Sequence, residues 1–505
     1  MNRLLLLWGV LAGLTSSDGG VITIRIDSQE RFASIPQILQ SCLNSQPQEI
    51  TFQFEPGTYF FDERILRLDG IQAPGTSIRF IGNGATLTAR GEDYADGSPL
   101  TSTLDAGTGI LSDGNDVFAW SPVFHADSQV RTQDKDRHLF RLKCKSLSPA
   151  SVGDISQCYI LVTQWYKSRM MKVHSIEEGA VTFYAEEGVE DLNMDFDYAR
   201  RFPRFKLLNM KDAPICVQDG VIRLKEGVDS IHLCQAGRLL TAYGAAFKSI
   251  SFQDFRFVGN RDNVYALMDF TNTQTEGITI TDCEFCGIHS NLIQVAYSPV
   301  FTFSGNHIHD CYRGGVNSFA APGTHISNNI FHHVGLAMTN DFCIGCAGED
   351  YLVRGNKISD FGYGGIAIGM HYRQERSCKI TGTVEYNELW YTSSYMDAYQ
   401  DYTLMDSGAI YVFTQNDKTH IRNNYIHDYI GMKDNRGIFL DDGASHVTVS
   451  GNVIQRTPNS WSIDSRLVPE VVTMPGSQVK EANVGVLILG NKVDGKIRFE
   501  KNPRQ

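Results

Sequence analysis

Short runs that alternate apolar and polar residues recur through the second half of this chain, and between successive runs stands an Asn. The phrase reads Phe303-Ser304-Gly305-Asn306-His307-Ile308, then Ile326-Ser327-Asn328-Asn329-Ile330 and Val353-Arg354-Gly355-Asn356-Lys357-Ile358. It returns as Ile421-Arg422-Asn423-Asn424-Tyr425-Ile426, Val449-Ser450-Gly451-Asn452-Val453-Ile454 and Leu489-Gly490-Asn491-Lys492-Val493. Asn306, Asn329, Asn356, Asn387, Asn424, Asn452 and Asn491 are separated by 23, 27, 31, 37, 28 and 39 residues. A two-residue period marks each run as a strand with one buried face. A unit this short cannot bury that face alone, so the pattern predicts stacked coils: an all-β, right-handed parallel β-helix. An Asn at one fixed bend can bond through its amide to the Asn above and below, and it tolerates left-handed backbone. Phe255 and Cys283 hold the same place in earlier coils, so the solenoid is expected to span about residues 240–505.

The first part of the chain reads differently. Val21-Ile22-Thr23-Ile24-Arg25-Ile26 alternates as a strand, and Ile35, Ile38, Leu39 and Leu43 then follow a helical spacing. A strand at Ile50-Thr51-Phe52-Gln53-Phe54 leads into Pro56-Gly57-Thr58-Tyr59. An amphipathic helix here would cover the first coil, whose core is otherwise open. This opening resembles the N-terminal cap of pectin-lyase-like β-helices. Residues 92–239 break the repeat. Cys158–Trp165, Met171–Ile176 and Ala180–Ala185 read as consecutive antiparallel strands of an inserted β-subdomain. Residues 20–91 are then the cap and first coils. Within residues 1–19, Met1-Asn2-Arg3 precedes an apolar run from Leu4 to Leu14 and the small residues Thr15-Ser16-Ser17. That run is too short to span a bilayer and reads as a signal peptide, which implies a secreted or periplasmic protein with no integral membrane segment in the mature chain.

Charge and cysteine content narrow the partners. Lys+Arg total 45 against 57 Asp+Glu, for a net charge of −12, which is no footprint for nucleic acid. Eleven cysteines in an exported chain would pair as disulfides with one left over. Cys283-x-x-Cys286 and Cys343-x-x-Cys346 offer four thiolates to a zinc ion, but their flanks lie within the strand pattern, which favours small buried thiols. The reading carries no metal and no cofactor.

Chemistry is expected on coils 360–455. Aligning Gly365-Ile366-Ala367-Ile368-Gly369, Ala409-Ile410-Tyr411-Val412-Phe413 and Gly437-Ile438-Phe439-Leu440-Asp441 stacks Ile366, Ile410 and Ile438 in one inward column and Ile368, Val412 and Leu440 in the next. Ala367, Tyr411 and Phe439 then point outward as an exposed face, with Gly369, Phe413 and Asp441 two residues on. Asp406 precedes one of these strands, and Asp441-Asp442 ends the next. Coils stack about 4.8 Å apart, so carboxylates on neighbouring coils are able to reach the ~5 to 9 Å that the two glycosidase mechanisms use. An Asp-Asp-Gly corner is equally at home as a plain turn. His371 and Arg373 stand ready for substrate hydroxyls or a sugar carboxylate. Trp390 opens an aromatic-rich interval suited to stacking on sugar rings.

The phrases Asp406-Ser407-Gly408-Ala409-Ile410-Tyr411 and Gly437-Ile438-Phe439-Leu440-Asp441-Asp442-Gly443, with Asn423-Asn424-Tyr425-Ile426-His427-Asp428 between them, resemble the active-site coils of β-helix glycoside hydrolases, namely the family 141 α-L-fucosidases and family 120 β-xylosidases. The insert is similar too. The resemblance implies hydrolysis of an oligo- or polysaccharide, with Asp406 and one of Asp441 or Asp442 as acid and nucleophile or base. The chain lacks the Asp-Gly-x-x-Ser/Asn-Pro-Gly-Thr phrase common near the start of those families. Exo action is expected if the insert and the Trp390 segment close one end of the groove. Two other readings compete: a polysaccharide lyase acting on uronate polymers with a Lys or Arg base, and a non-catalytic β-helix that binds glycans or serves as a surface scaffold.

Overall fold

The computed structural model describes residues 20–500 except 64, 106, 113–114, 117–123, 135–136, 165–166, 186–203, 299, 338–339, 370–377, 396–406, 430–435, 458–460 and 466–482. The apolar run at 4–14 lies outside the described residues, as do His371, Arg373 and Asp406.

Alternation along each strand, with every second residue apolar, folds the chain into one 30-stranded parallel assembly that wraps as three faces. Strands such as Ile278–Thr281, Phe301–Ser304 and His325–Ser327 stack as the first sheet. Glu284–Cys286, His307–Cys311 and Ile330–Val334 form the second, and Asn291–Ala296, Val316–Phe319 and Phe342–Ala347 the third. Each coil therefore visits the three sheets in turn, as expected of a parallel β-helix. Ile293, Val316, Ile344, Ile366, Ile410, Ile438 and Ile463 stack through the third sheet with no exposed surface. Full burial of each such side chain stabilises the fold by roughly 2–3 kcal/mol. Near the first coils the stack is aromatic, with Phe52, Phe80 and Phe252 at centroid separations of 5.2 and 4.5 Å.

The Asn repeat forms a buried ladder. Asn306 Oδ1 accepts from Cys283 N, and from Asn329 onward each ladder Asn receives, on its Oδ1, bonds from the backbone N–H and the Nδ2 of the Asn before it; at Asn356 these bonds from Asn329 are 3.0 and 2.9 Å. Its own Nδ2 donates back to a first-sheet carbonyl and forward to the next rung, Ile326 O and Asn387 Oδ1 in that case. The left-handed backbone belongs to the residue before each rung, not to the rung itself: Asp282, Gly305, Asn328, Gly355, Tyr386, Asn423, Gly451 and Gly490 all have positive φ. That residue turns the corner, and the Asn that follows is free to aim its amide along the axis.

At the N-terminal end, Ser28 caps the short helix Gln29–Ala33 by accepting from Arg31 N, and the helix Ile35–Leu43 buries Ile35, Ile38, Leu39 and Cys42. Phe32 meets Phe54 and Tyr59 edge-on, closing the open end of the core.

The chain leaves the solenoid after a second-sheet strand, within Gln72–Ala89, and re-enters at Leu240–Thr241, which pairs in parallel with Leu66–Arg67 and Met268–Asp269. The insert thus occupies the turn between the second and third sheets of one coil. Its strands are antiparallel: Tyr159–Gln164 pairs with Lys167–Glu177, and the latter with Ala180–Ala185. It holds its own core around Leu142, Ile160, Val181 and Phe183. It also folds back on later coils. Ser168 Oγ donates to Ala337 O at 3.1 Å, Tyr312 Oη lies 3.1 Å from Met170 Sδ, and Arg261 reaches Asp105 at 2.5 Å.

Candidate functional site

Parallel register carries one outward row across the third sheet: Asp269, Gln294, Asn317, Gly345, Ala367, Tyr411 and Phe439. The polar-to-small change along this row makes a groove of about 530 Å³. Asp269, Gln294 and Asn317 form its floor, and Tyr297, Phe319 and Phe342 stand among its walls. Gly345 sets its depth, because a Cβ there would come within 2.6 Å of Asn317 Oδ1.

The outward column predicted at Tyr411 and Phe439 exists, but it is not an exposed face. Tyr411 retains 7% of its surface and Phe439 none. Both are covered by neighbours on the same face: Phe342 and Phe413 pack against Tyr411 at 5.6 and 5.3 Å, and the Arg436 guanidinium lies 4.1 Å above the Phe439 ring. Strand parity points a side chain away from the core without leaving it in water, and the groove ends against this aromatic block.

Asp441 lies directly beyond that block. It pairs in register with Phe413, is 4% exposed, and accepts a 2.6 Å hydrogen bond from Tyr411 Oη. The Asp442 side chain lies outside the described residues. The register also matters for the proposed partner of Asp441. Gly408 is opposite Arg436 and Phe413 opposite Asp441, so Asp441 lies on the coil after the strand that begins at Gly408, about 16 Å along the strands from the Gly408–Arg436 pair. Trp390 belongs to the second sheet, as the last residue of Glu388–Trp390, and stacks on His427 at 5.7 Å. That is a different face from the groove.

At the end nearer the insert, sequence motifs gave no warning of a polar cluster. Arg313 Nε donates to Asp341 Oδ2 at 3.0 Å, and its Nη1 lies 3.6 Å from Asp262 Oδ1. The planar guanidinium thus holds the two carboxylates within about 9 Å of each other. Burial pushes the Asp262 carboxyl above its ordinary value, against the pull of Arg313. Burial works against the charge of Arg313, yet Asp341 and Asp262 hold its pKa above the usual value. Tyr265 lies among these groups. Its phenol is pushed up by burial first and then by Asp341, with Asp269 adding to the effect. Asn291 fixes this turn, donating from Nδ2 to Tyr265 O and accepting from Gly314 N, both at 3.1 Å. The insert backs it through Asp262 N, which donates to Gly107 O at 2.7 Å. Carboxyl groups gathered around one guanidinium beside a groove can share acid and base roles. These residues lie in turns of separate coils, so only the register brings them together.

A family model described as a right handed beta helix region matches residues 268–502. No curated protein matches the chain by sequence. Among solved structures, a glycoside hydrolase aligns over 93% of this chain and 96% of its own, with 12% identity and a TM-score of 0.61. A complex of XylC with xylose covers 95% of this chain and 86% of its own, at 10% identity and a TM-score of 0.38. The catalytic domain of a GH87 α-1,3-glucanase with nigerose covers 80% and 94%, at 11% identity and a TM-score of 0.31. The first likeness is one of fold over nearly the whole of both chains.

Proposed function

We propose that this right-handed parallel β-helix is a carbohydrate-active enzyme that hydrolyses a glycosidic bond in a saccharide lying along the third-sheet groove. The observation that carries the reading is the groove: aromatic walls for sugar faces, a floor of carboxylate and amide side chains for hydroxyls, and carboxylates gathered at its insert side. The catalytic pair is assigned to Asp269 on the floor and Asp341, which precedes the wall residue Phe342 in sequence; the charges of both act on Tyr265. One protonates the glycosidic oxygen while the other attacks the anomeric carbon or activates water. Arg313 and Asp262 are positioning residues that hold Asp341. The insert covering this end favours exo action, since a chain bound in the groove would meet a wall there. Whole-chain likeness in fold to a glycoside hydrolase supports the class and leaves the sugar open.

A second assignment rests on the hydrogen bond from Tyr411 to Asp441 at the opposite end of the same face; in sequence Asp406 precedes the strand of Tyr411 and Asp442 follows Asp441. Asp269 and Asp441 are separated by six coil steps, about 29 Å, so the two ends cannot serve one bond.

The test is chromophore release from aryl α-L-fucoside, β-xyloside, α-galactoside and α-L-rhamnoside by wild type, Asp269→Asn, Asp341→Asn and Asp441→Asn. Release that the first two substitutions lower by at least a hundredfold, in folded protein, supports the insert-side assignment. Loss confined to Asp441→Asn moves catalysis to the far end. No hydrolysis of any glycoside, together with unsaturated products from uronate polymers, would replace hydrolysis by elimination.

A further inference from the structure

The outer face of the second sheet, away from the groove, gathers ligand-bearing side chains that the hydrolytic reading does not use. Parallel register sets Glu284 beside His307 and Cys286 beside His309, with His332 next in that second row. One ligand atom from each of Glu284, Cys286 and His309 lies within 4.8 Å of the other two.

We propose that Cys286 Sγ, His309 Nε2 and a Glu284 carboxylate oxygen bind a borderline divalent transition-metal ion, zinc being the reference case, with water in the fourth position. Thiolate, imidazole and carboxylate together are the donor set that zinc accepts, and harder ions such as magnesium or calcium would not choose the sulfur. His309 Nε2 already stands 3.2 Å from Glu284 Oε1, close to the about 3.3 Å that separates two ligands at zinc bond lengths of about 2.0 Å in a tetrahedron.

The histidine is also oriented for the task. Its Nδ1 is 2.7 Å from Asp310 Oδ2. With Nδ1 donating to that carboxylate, the Nε2 lone pair faces the thiol and Glu284, the carboxylate–histidine arrangement that tunes metal ligands. Asp310 has positive φ, so the corner of the coil turns its carboxylate back onto its own neighbour. Cys286 is buried while the Glu284 and His309 side chains keep 35% and 16% of their surface, so an ion reaches the sulfur past the two outer ligands.

Arg256 stands where the ion would enter. Its Nε is 3.0 Å from Glu284 Oε1 and its Nη2 3.5 Å from Cys286 Sγ. The guanidinium neutralises the carboxylate in the metal-free protein, and binding moves it toward solvent as the thiol proton is released.

The experiment uses the full chain, stripped with chelator and titrated with Zn²⁺ or Co²⁺ alone. Wild type is expected to take up a single ion and, with cobalt, to show thiolate-to-metal charge-transfer absorption. Cys286→Ser should abolish that absorption, and His309→Gln should weaken zinc binding at least tenfold. Asp310→Asn should weaken it about 10–100-fold, and Arg256→Gln should tighten it. Folded wild-type protein that retains no zinc would overturn the site. So would a cobalt spectrum that lacks the sulfur band or keeps it in Cys286→Ser. Binding without sulfur would transfer the ion to His307 and His332, whose Nε2 atoms face each other at 2.9 Å. Should Cys286→Ser fail to fold, His309→Gln at its partly exposed position decides the matter alone.

Discussion

Asn356→Ala tests whether the ladder holds the solenoid together. The substitution removes Oδ1, which accepts from Asn329 N and Asn329 Nδ2 at 3.0 and 2.9 Å. It also removes the donor to Ile326 O, while Asn387 Oδ1 keeps its bond from the backbone N–H of residue 356. Two fully buried N–H groups are left without an acceptor, and each costs about 1–3 kcal/mol. A loss near 4 kcal/mol follows. For 505 residues the entropy of unfolding is about 1 kcal/mol/K, so Tm should fall by about 4 °C if the chain melts as one unit, and further if a few coils melt first. Thermal unfolding by circular dichroism reads this directly, with the exposed neighbour Lys357→Ala as control. Asn356→Asp sharpens the test. Its second oxygen would face the acceptors Ile326 O and Asn387 Oδ1, so the folded carboxyl must have a pKa above the unfolded value of about 3.9. The folded state then binds the proton more tightly, and stability rises as pH falls. The Asp variant should sit closer to wild type at pH 5 than at pH 8. A drop for Asn356→Ala within about 1 °C of the Lys357→Ala control, or an Asp variant indifferent to pH, would show that water replaces the amide and that the ladder is incidental.

Other consequences are as direct. Gly345→Leu should leave the fold intact and raise KM for any groove-bound saccharide at least tenfold, because the new side chain projects onto Asn317; unchanged kinetics would remove the substrate from this groove. Asp464, fully buried, is held by Arg436 at 3.0 Å and by Arg498 through two bonds of 2.6 Å; Asp464→Asn leaves buried Arg436 without its counter-charge and should cost about 3–5 kcal/mol, read from denaturant midpoints, whereas a loss below ~1 kcal/mol would mean the cluster is solvated. Burial raises the thiols of Cys283 and Cys346 to about 12, so a thiol reagent at pH 8 should modify the partly exposed Cys378 first and those two only after unfolding; rapid reaction of both in native protein would contradict the packing.

Much of the scaffold was readable because it repeats. The Asn positions and the Ile366, Ile410 and Ile438 column recur with fixed neighbours, so alignment of the chain against itself reproduces the stacking. The groove was not readable in this way. Asp269, Gln294 and Asn317 share no phrase, and only the parallel register lines them up. The Asp262, Arg313 and Asp341 cluster is assembled from turns of different coils, which no local spacing encodes. Trp390 was drawn toward the groove because the interval from Asn387 to Asn424 reads as a long loop, yet its first residues continue the second sheet. Tyr411 and Phe439 point outward as alternation requires, but large neighbours on the same face cover them. The CxxC pairs mislead in an instructive manner: Cys343 and Cys346 are buried in the third sheet, while Cys286 faces the histidines of the second.

The rungs of the ladder keep bonds of 2.9–3.1 Å whether 23 or 39 residues separate them. Chain length between rungs is therefore a variable that mutation can change without disturbing the rack. An insertion in a turn lengthens the rim of a groove and leaves the adjacent coils in register, and duplication of a whole coil adds one more rung. Such a molecule can diversify at its edges while its interior stays under a single unchanging rule.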